Sequence, residues 1–595
     1  MLRNQPKTLP ISNGMGLLPK KRKINQKHWE KEITPDEIFL DSKNLPQFNT
    51  QQFEGRIERP IGRHAIALLG IFFLAVGTFF IGRVGFLQIA RGDVYAKRSE
   101  NNRLEHIPIF AERGIVYDRN KKELAWNSFE EGILSSATTT AQAGDISKRS
   151  YITEEGLGHL LGYVSYPSKD SSGFFYQEDF IGKNGVEKTY NDLLAGENGI
   201  KLIEVDALGE KQSESTIKPP SDGKDLELSI DSRVQEKLYS IIKQTSKDRG
   251  FTGGAGIIMD VHTGAILSVT SFPEYSPAVL SSGDDSRAID AYINDGRKPF
   301  LDRAISGLYT PGSIVKLYVA IGALNEKIID PEKKILSTGS ISIQNPYYPD
   351  IKSVFMDWKA HGWVNMREAL GVSSDVYFYE IGGGYEGQKG LGIYNIDKYM
   401  QMFGMSKKTG VDLPGEEEGT IPSPEWKAKN FNGEVWRIGD TYHTAIGQYG
   451  FQVTPVQIVR AVAAIARNGV LVTPHVLSRI NGDTAPSLPQ EKPIDINQEY
   501  FTVVREGMRK VVLGGTGSAL DTPNVSVAGK TGTAELGVSK KFVNSWVTGF
   551  FPYETPRFAF AVVMEHGPRE NLVGASYVMR TLLDWMAGNT PEYLK

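Results

Sequence analysis

Cysteine is absent from all 595 residues. That absence excludes disulfides, cysteine-bearing zinc sites, iron–sulfur clusters and thiol nucleophiles. It suits an exported protein that keeps no thiols in an oxidising space. No excess of one charge exists either, since 67 Lys and Arg face 70 Asp and Glu for a net charge of −3. A globally basic, nucleic-acid-binding protein is therefore not indicated. Internal repeats and long low-complexity linkers are also missing. What remains has the balance of a folded chain, 40% hydrophobic and 23% charged. The length predicts two or three domains plus tails, and 62 glycines predict many tight turns and a substantial β component.

One long apolar run stands out. From Ala65 to Ile81 the chain reads AIALLGIFFLAVGTFFI, flanked by Arg63 and Arg83. Extended by His64 and Gly82, it reaches about 28 Å as a helix, close to a bilayer core. A signal-peptide core is usually shorter, lies nearer the first residue and precedes a small-residue cleavage site. The reading is a single membrane-spanning helix over residues 64–84. The basic residues Lys20, Lys21, Arg22, Lys23, Lys27, Arg56, Arg59 and Arg63 predict a cytoplasmic, flexible tail over residues 1–63, with the rest of the chain outside.

Beyond the span, residues 85–247 read as a mixed α/β region. Pro108–Ser128 predicts a hairpin turning at Asp118-Arg-Asn-Lys-Lys. Gly185–Gly199 predicts a short helix stopped at Gly196, Lys201–Gly209 a strand and the polar Glu210–Lys224 a loop. From Leu226 the pattern passes from strand to amphipathic helix, with Asp231 or Ser232 as N-cap. Ala255–Pro273 predicts a hairpin around His262-Thr-Gly. Helices are predicted over Ser313–Asn325, Met366–Gly382 and Thr454–Asn468, then strands over Ser545–Pro552 and Arg557–Gly567 and a terminal helix. Strands at both ends enclosing helices predict an α+β fold, an antiparallel sheet packed on helices, over residues 248–595.

Three short motifs carry chemistry. In Tyr309-Thr-Pro-Gly-Ser313-Ile-Val-Lys316, the spacing places a hydroxyl and an amine on one helix face. The helix start favours developing negative charge, and a buried lysine with a depressed pKa can take the serine proton. The spacing alone means little, as Ser215-Thr-Ile-Lys218 in the predicted loop illustrates; a lone Ser-x-x-Lys is usually a helix start and a solvated lysine. Ser373-Ser374-Asp375 puts a hydroxyl and a carboxyl two apart, which on its own reads as an N-cap pair for the following helix. Lys530-Thr531-Gly532-Thr533 reads as a strand with a cation and two hydroxyls. Its glycine would let a peptide backbone approach and pair alongside.

In the order Ser-x-x-Lys, Ser-x-Asp, Lys-Thr-Gly, separated by 60 and 157 residues, this constellation resembles the penicillin-binding and serine β-lactamase superfamily. Lys298-Pro-Phe-Leu-Asp-Arg-Ala304, the Ala255–Pro273 hairpin and Ser545–Pro552 resemble the transpeptidase domain. Asn102-Arg103, Arg113-Gly-Ile-Val-Tyr-Asp-Arg119 and Gly185-Val-Glu-Lys-Thr-Tyr190 resemble the non-catalytic pedestal of class B penicillin-binding proteins. Gly410–Gly415, Ile421–Lys427, Trp436–Thr441 and Ala445-Ile-Gly-Gln448 are similar to the elongation-type class, penicillin-binding protein 2, as is Asp375 where division-type relatives usually have Asn. The division-type transpeptidase is the alternative within the family.

The resemblance implies a serine-type D-Ala-D-Ala transpeptidase that cross-links peptidoglycan stem peptides and is acylated by β-lactams. It implies Ser313 as nucleophile, Lys316 as base, and Ser373 with Asp375 and Lys530 as a proton relay. Lys530, Thr531 and Thr533 would hold the donor carboxylate, Gly532 would admit its backbone, and the Ser313 and Thr533 amides would form the oxyanion hole. No cofactor and no nucleic acid are implied; a membrane glycan polymerase of the elongation complex is. Some relatives bind a metal near the second motif through Asp, His and Cys. Asp357 and His361 could serve here, yet with no cysteine the reading is a structural histidine and no metal. A class A β-lactamase is disfavoured, since no Glu-x-x-x-Asn lies between Ser373 and Lys530. A catalytically silent scaffold or β-lactam sensor is the alternative from another class.

Overall fold

The computed structural model describes residues 62–95, 104–128, 147–171, 175–205, 211–345, 348, 350–484, 491–537, 539–571 and 573–595. The expected tail therefore lies outside the described residues except at its last two positions. The chain forms two compact units, residues 1–99 and 100–595. The described part of the first is α1 (Arg63–Gly85), continued by a wider turn over Phe86–Ala90. It is long and apolar enough to cross a bilayer, and none of its residues is buried. This is consistent with a single-pass membrane anchor.

The second unit begins with short strands: β1 (Leu104–Ile109), β2 (Val116–Tyr117), β3 (Glu123–Ser128), β4 (Lys148–Tyr151), β5 (Gly199–Val205), β6 (Lys211–Lys218) and β7 (Leu226–Leu228). β2 and β3 form the expected hairpin, turned by Asp118, whose Oδ1 accepts the Asn120 and Lys122 N–H groups at 2.7 and 2.9 Å. The polar stretch expected as a loop is instead β6, paired antiparallel with β5 in the sheet β1-β5-β6. It lies at a sheet edge with both faces wet, so no apolar alternation marks it; Lys201–Glu214 and Lys218–Glu197 ion pairs secure it. Ser215-Thr-Ile-Lys218 thus lies on a strand.

A buried ion cluster holds this region. The Glu187 carboxylate receives Arg113 Nε at 2.6 Å and Arg149 Nε at 2.8 Å, and none of the three side chains is more than 1% exposed. The region is also tied to the next helix, α2 (Ser232–Arg249). Asp118 Oδ2 accepts the Ser232 hydroxyl at 2.7 Å, and Asp231 caps α2 by accepting the Arg233 N–H at 3.0 Å.

The remaining chain is built on one antiparallel sheet. Its framework in order is β8 (Gly253–Asp260), β9 (Ile266–Phe272), α3 (Lys316–Asn325), α4 (Met366–Val372), α5 (Asp375–Gly383), α6 (Ile438–Ala445), α7 (Pro455–Ala466), α8 (Gln498–Val512), β10 (Ala528–Leu536), β11 (Phe542–Phe551), β12 (Phe558–Pro568) and α9 (Ala575–Asn589). The sheet runs β9-β8-β12-β11-β10, so β10 is an edge. Central β12 alternates between two cores: Phe558, Phe560, Val562 and Met564 face α2 and α9, whereas Ala559, Ala561 and Val563 join the core around α7. The small residues meet Ala461, Ala463 and Ala464 of α7, which lets that helix lie close to the sheet. A strand buried on both faces reads as a continuous apolar run, and this one does. The order is the expected antiparallel sheet on helices.

Candidate active site

The segment that carries Ser313 is held before it becomes a helix. Tyr309 and Val453 exchange backbone hydrogen bonds at 2.9 Å, and the Trp546 indole donates to the Thr310 carbonyl at 3.0 Å. Gly312 has φ +59°, and its N–H donates to the Gly447 carbonyl at 2.9 Å. A Cβ on Gly447 would lie 2.2 Å from the Gly312 carbonyl oxygen, so only glycine fits there. These restraints wind Gly312–Val315 as a tight 3₁₀ turn, and α3 proper starts at Lys316, three residues later than the apolar pattern predicts. Ser313 is half-buried in that turn, and its side chain forms no hydrogen bond among the described residues.

Lys316 is fully buried. Its ammonium donates to Asp375 Oδ1 at 2.6 Å and to the Ser373 carbonyl at 2.8 Å, and lies 3.4 Å from the Ser373 hydroxyl. The Phe378 ring stands 5.4 Å away as a cation–π floor. The second motif reaches this point because the expected helix over Met366–Gly382 is broken. Ser373 closes α4 at φ 57°, ψ 40°, left-handed for a non-glycine residue, and α5 restarts at Asp375. The N-cap of α5 is Ser374, which accepts the Tyr377 N–H at 3.3 Å. Ser373 and Asp375 are thereby released from capping and face the lysines.

The third motif closes the cluster from β10. Lys530, also fully buried, donates to the Ser373 hydroxyl at 2.8 Å and to the Thr531 carbonyl at 3.0 Å. Burial, reinforced by the Lys316 cation and opposed by the Asp375 carboxylate, holds the Lys530 amine well below the usual lysine value. Gly532 sits where a Cβ would lie 2.8 Å from the Pro311 carbonyl oxygen and 3.0 Å from Ile314 Cγ2, so β10 packs directly on the turn that carries Ser313. Thr533 is exposed, and the Thr531 hydroxyl lies 2.7 Å from that of Thr516.

Lys316, Ser373, Asp375 and Lys530 therefore form one hydrogen-bonded group, with Ser313 one turn ahead of Lys316 and Gly532 against that turn. Reading the sequence missed Trp358, Trp546 and Thr516, none of which lies in a local pattern that marks a site, and it named Asp357 only beside His361, not as a partner of the second motif. Asp357 and His361 do stand together, with Nε2 3.5 Å from Oδ1. Among the described residues no group of three or more His, Asp or Glu is placed to hold an ion.

The chain matches the family described as the penicillin binding protein transpeptidase domain over residues 254–584, and the penicillin-binding protein dimerisation domain over residues 134–228. It is 30% identical to the peptidoglycan D,D-transpeptidase MrdA of Acinetobacter baumannii, across 84% of this chain and 85% of that one. Among solved structures it is similar to the penicillin-binding protein PBP2 of Helicobacter pylori in complex with MreC, at 27% identity and TM-score 0.67, covering 82% of this chain and 99% of that one. It is likewise similar to Pseudomonas aeruginosa PBP2 in complex with WCK 5153, at 30% identity and TM-score 0.65, covering 82% and 100%.

Proposed function

The chain belongs to the class B penicillin-binding proteins, and on that premise we propose that it is a serine peptidoglycan D,D-transpeptidase of the elongation type. One observation carries the chemistry: the Ser373 hydroxyl lies between two buried amines, 2.8 Å from Lys530 and 3.4 Å from Lys316. Ser313 attacks the carbonyl between the two terminal D-alanines of a donor stem peptide. Its proton passes to the lysine pair, where Lys530 is held toward the neutral amine. The carbonyl–nitrogen bond breaks, and the departing D-alanine takes that proton through Ser373. An acceptor amine then attacks the acyl-enzyme, a new amide forms, and the Ser313 oxygen leaves as the hydroxyl with the acceptor's proton. Amides of Ser313 and Thr533 stabilise the oxyanion, a contribution of about 3 kcal/mol per donor in such sites. Thr531, Thr533 and Lys530 hold the donor carboxylate, and the free edge of β10 supports pairing with its backbone.

The domain plan that goes with this reading is a cytoplasmic tail over 1–63, a cytoplasmic-membrane span over 64–84, an extracytoplasmic pedestal over 85–247 and the catalytic region over 248–595. The MrdA and PBP2 names of the quoted relatives favour the elongation role over the division role. The complex of a relative with MreC favours protein partners for this chain, and a membrane glycan polymerase would supply the strands. Fluorescent penicillin applied to the membrane fraction tests the reading. A long-lived covalent band lost in Ser313→Ala, together with loss of cross-linking of lipid-linked precursor glycans, supports it. Rapid turnover of the label points to a β-lactamase, and no label at all points to a silent scaffold.

A further inference from the structure

Two consecutive residues outside the three motifs grip the second motif from both sides. Asp357 follows the strand Lys352–Met356, and its side chain is fully buried. Its Oδ2 accepts the Ser374 hydroxyl at 2.8 Å, the Val376 N–H at 3.0 Å and the Ser337 hydroxyl at 3.2 Å, while Oδ1 accepts the Trp358 N–H at 2.8 Å. Burial acts to raise this carboxyl, but the hydrogen bonds from Val376, Ser374 and the Asp375 backbone outweigh it and keep it ionised. The carboxylate thus sits at the N-terminus of α5, where unsatisfied N–H groups and the helix dipole favour an anion. On the other side, the Trp358 indole donates to the carbonyl of Val372, the last residue of α4, at 3.2 Å.

Between these two anchors stands Ser373 in its left-handed conformation. The apolar pattern of Met366–Gly382 favours one unbroken helix. In that state Ser373 would turn to right-handed φ and ψ, and its hydroxyl would leave the Lys530 amine. Something must hold the break open against this local preference. Ser374 alone caps α5 weakly, at 3.3 Å. The Asp357 carboxylate, taking Ser374 and Val376 together, and the Trp358 indole, taking Val372, supply the restraint.

We propose that Asp357 and Trp358 are positioning residues for acylation, clamping residues 372–376 so that the Ser373 hydroxyl points between Lys316 and Lys530. The inference rests on the transpeptidase reading above. Neither residue touches the reacting atoms; both act through Ser373.

The test measures the second-order rate constant for fluorescent-penicillin labelling of the full-length protein in detergent. It compares wild type, Asp357→Asn, Trp358→Phe, Ser373→Ala and the double variant Asp357→Asn/Ser373→Ala, with thermal melting alongside. Asp357→Asn keeps one acceptor oxygen and is expected to slow labelling about tenfold or more, and Trp358→Phe by a smaller factor. The decisive readout is coupling: the double variant is expected to label no more slowly than Ser373→Ala alone. Additive losses, or wild-type labelling rates in Asp357→Asn, overturn the proposal. Should Asp357→Asn fail to fold, Trp358→Phe in the Ser373→Ala background runs the same cycle at an exposed position. A wild-type protein that takes no label contradicts the transpeptidase reading and removes this proposal with it, a result distinct from a labelled wild type whose variants are indifferent.

Discussion

The Lys530 Nζ and the Ser373 hydroxyl, 157 residues apart in the chain, lie 2.8 Å from each other, and both residues are buried. That hydroxyl also stands 3.4 Å from Lys316. A single side chain therefore links two amines, and the carboxylate of Asp375 compensates the cation nearest it. The arrangement gives one proton a path between side chains, and a buried lysine of lowered pKa is suited to act as an acid or base.

Lys530 provides a pH test. Its folded value lies well below the ordinary 10.5, so between those two values the unfolded chain binds one more proton than the folded one. Stability therefore rises with pH across that window, and the cost of burying the lysine is relieved as pH approaches 10.5. In Lys530→Met this component of the slope should vanish, with melting at neutral pH equal to or above that of wild type. Penicillin acylation should fall by at least about a hundredfold. Thermal melting and labelling rates across the pH range check both.

Asp375 is the counter-ion of a lysine with no exposed surface. Asp375→Ala leaves that charge uncompensated, and such a loss costs about 3–5 kcal/mol. Chemical denaturation should report a loss of this size, larger than that of Ser373→Ala. Equal losses would show that Lys316 finds another partner.

Gly532→Ala adds one carbon 2.8 Å from the Pro311 carbonyl oxygen and 3.0 Å from Ile314 Cγ2. The obstacle is backbone on one side, so the edge strand must move away from the Ser313 turn. Overpacking of this kind costs about 1–3 kcal/mol. Labelling at Ser313 should fall more than stability does, and a measured rate near wild type would contradict the direct packing of β10 on residues 311–314.

Glu187 sits between two buried guanidiniums, outside the three motifs. Burial acts to raise its carboxyl, but Arg149 and Arg113 outweigh it and hold it below the ordinary 4.5. A depressed acid contributes stability above its unfolded value and loses it as pH falls through the folded one. Glu187→Gln should lower stability at neutral pH by about 3–5 kcal/mol and remove that acid-side component. Per folded molecule, penicillin labelling should be unchanged.

Much of this was readable from local pattern. The hairpin at Ala255–Pro273, the N-cap at Asp231 or Ser232 and the three motifs each carry a signature within a few residues. The apolar helix over Ala65–Ile81 did as well. What escaped depends on partners distant in the chain. Gly312 gives no sign that Gly447 will receive its N–H, and Ser373 gives no sign that it will break the helix. That break depends on Asp357 and Trp358, which approach from a separate hairpin. The strand Lys211–Lys218 escaped for another reason: an edge strand wet on both faces has no alternation to read.

The central claim is that Ser313 is the residue acylated. Peptide mapping by mass spectrometry after brief exposure of the full-length protein to benzylpenicillin tests it most directly. The account predicts an intact penicilloyl adduct on the peptide containing Ser313, absent from Ser313→Ala and slowed in Lys316→Ala and Lys530→Met. An adduct on any other residue, or none in a protein that melts as a folded species, would contradict it.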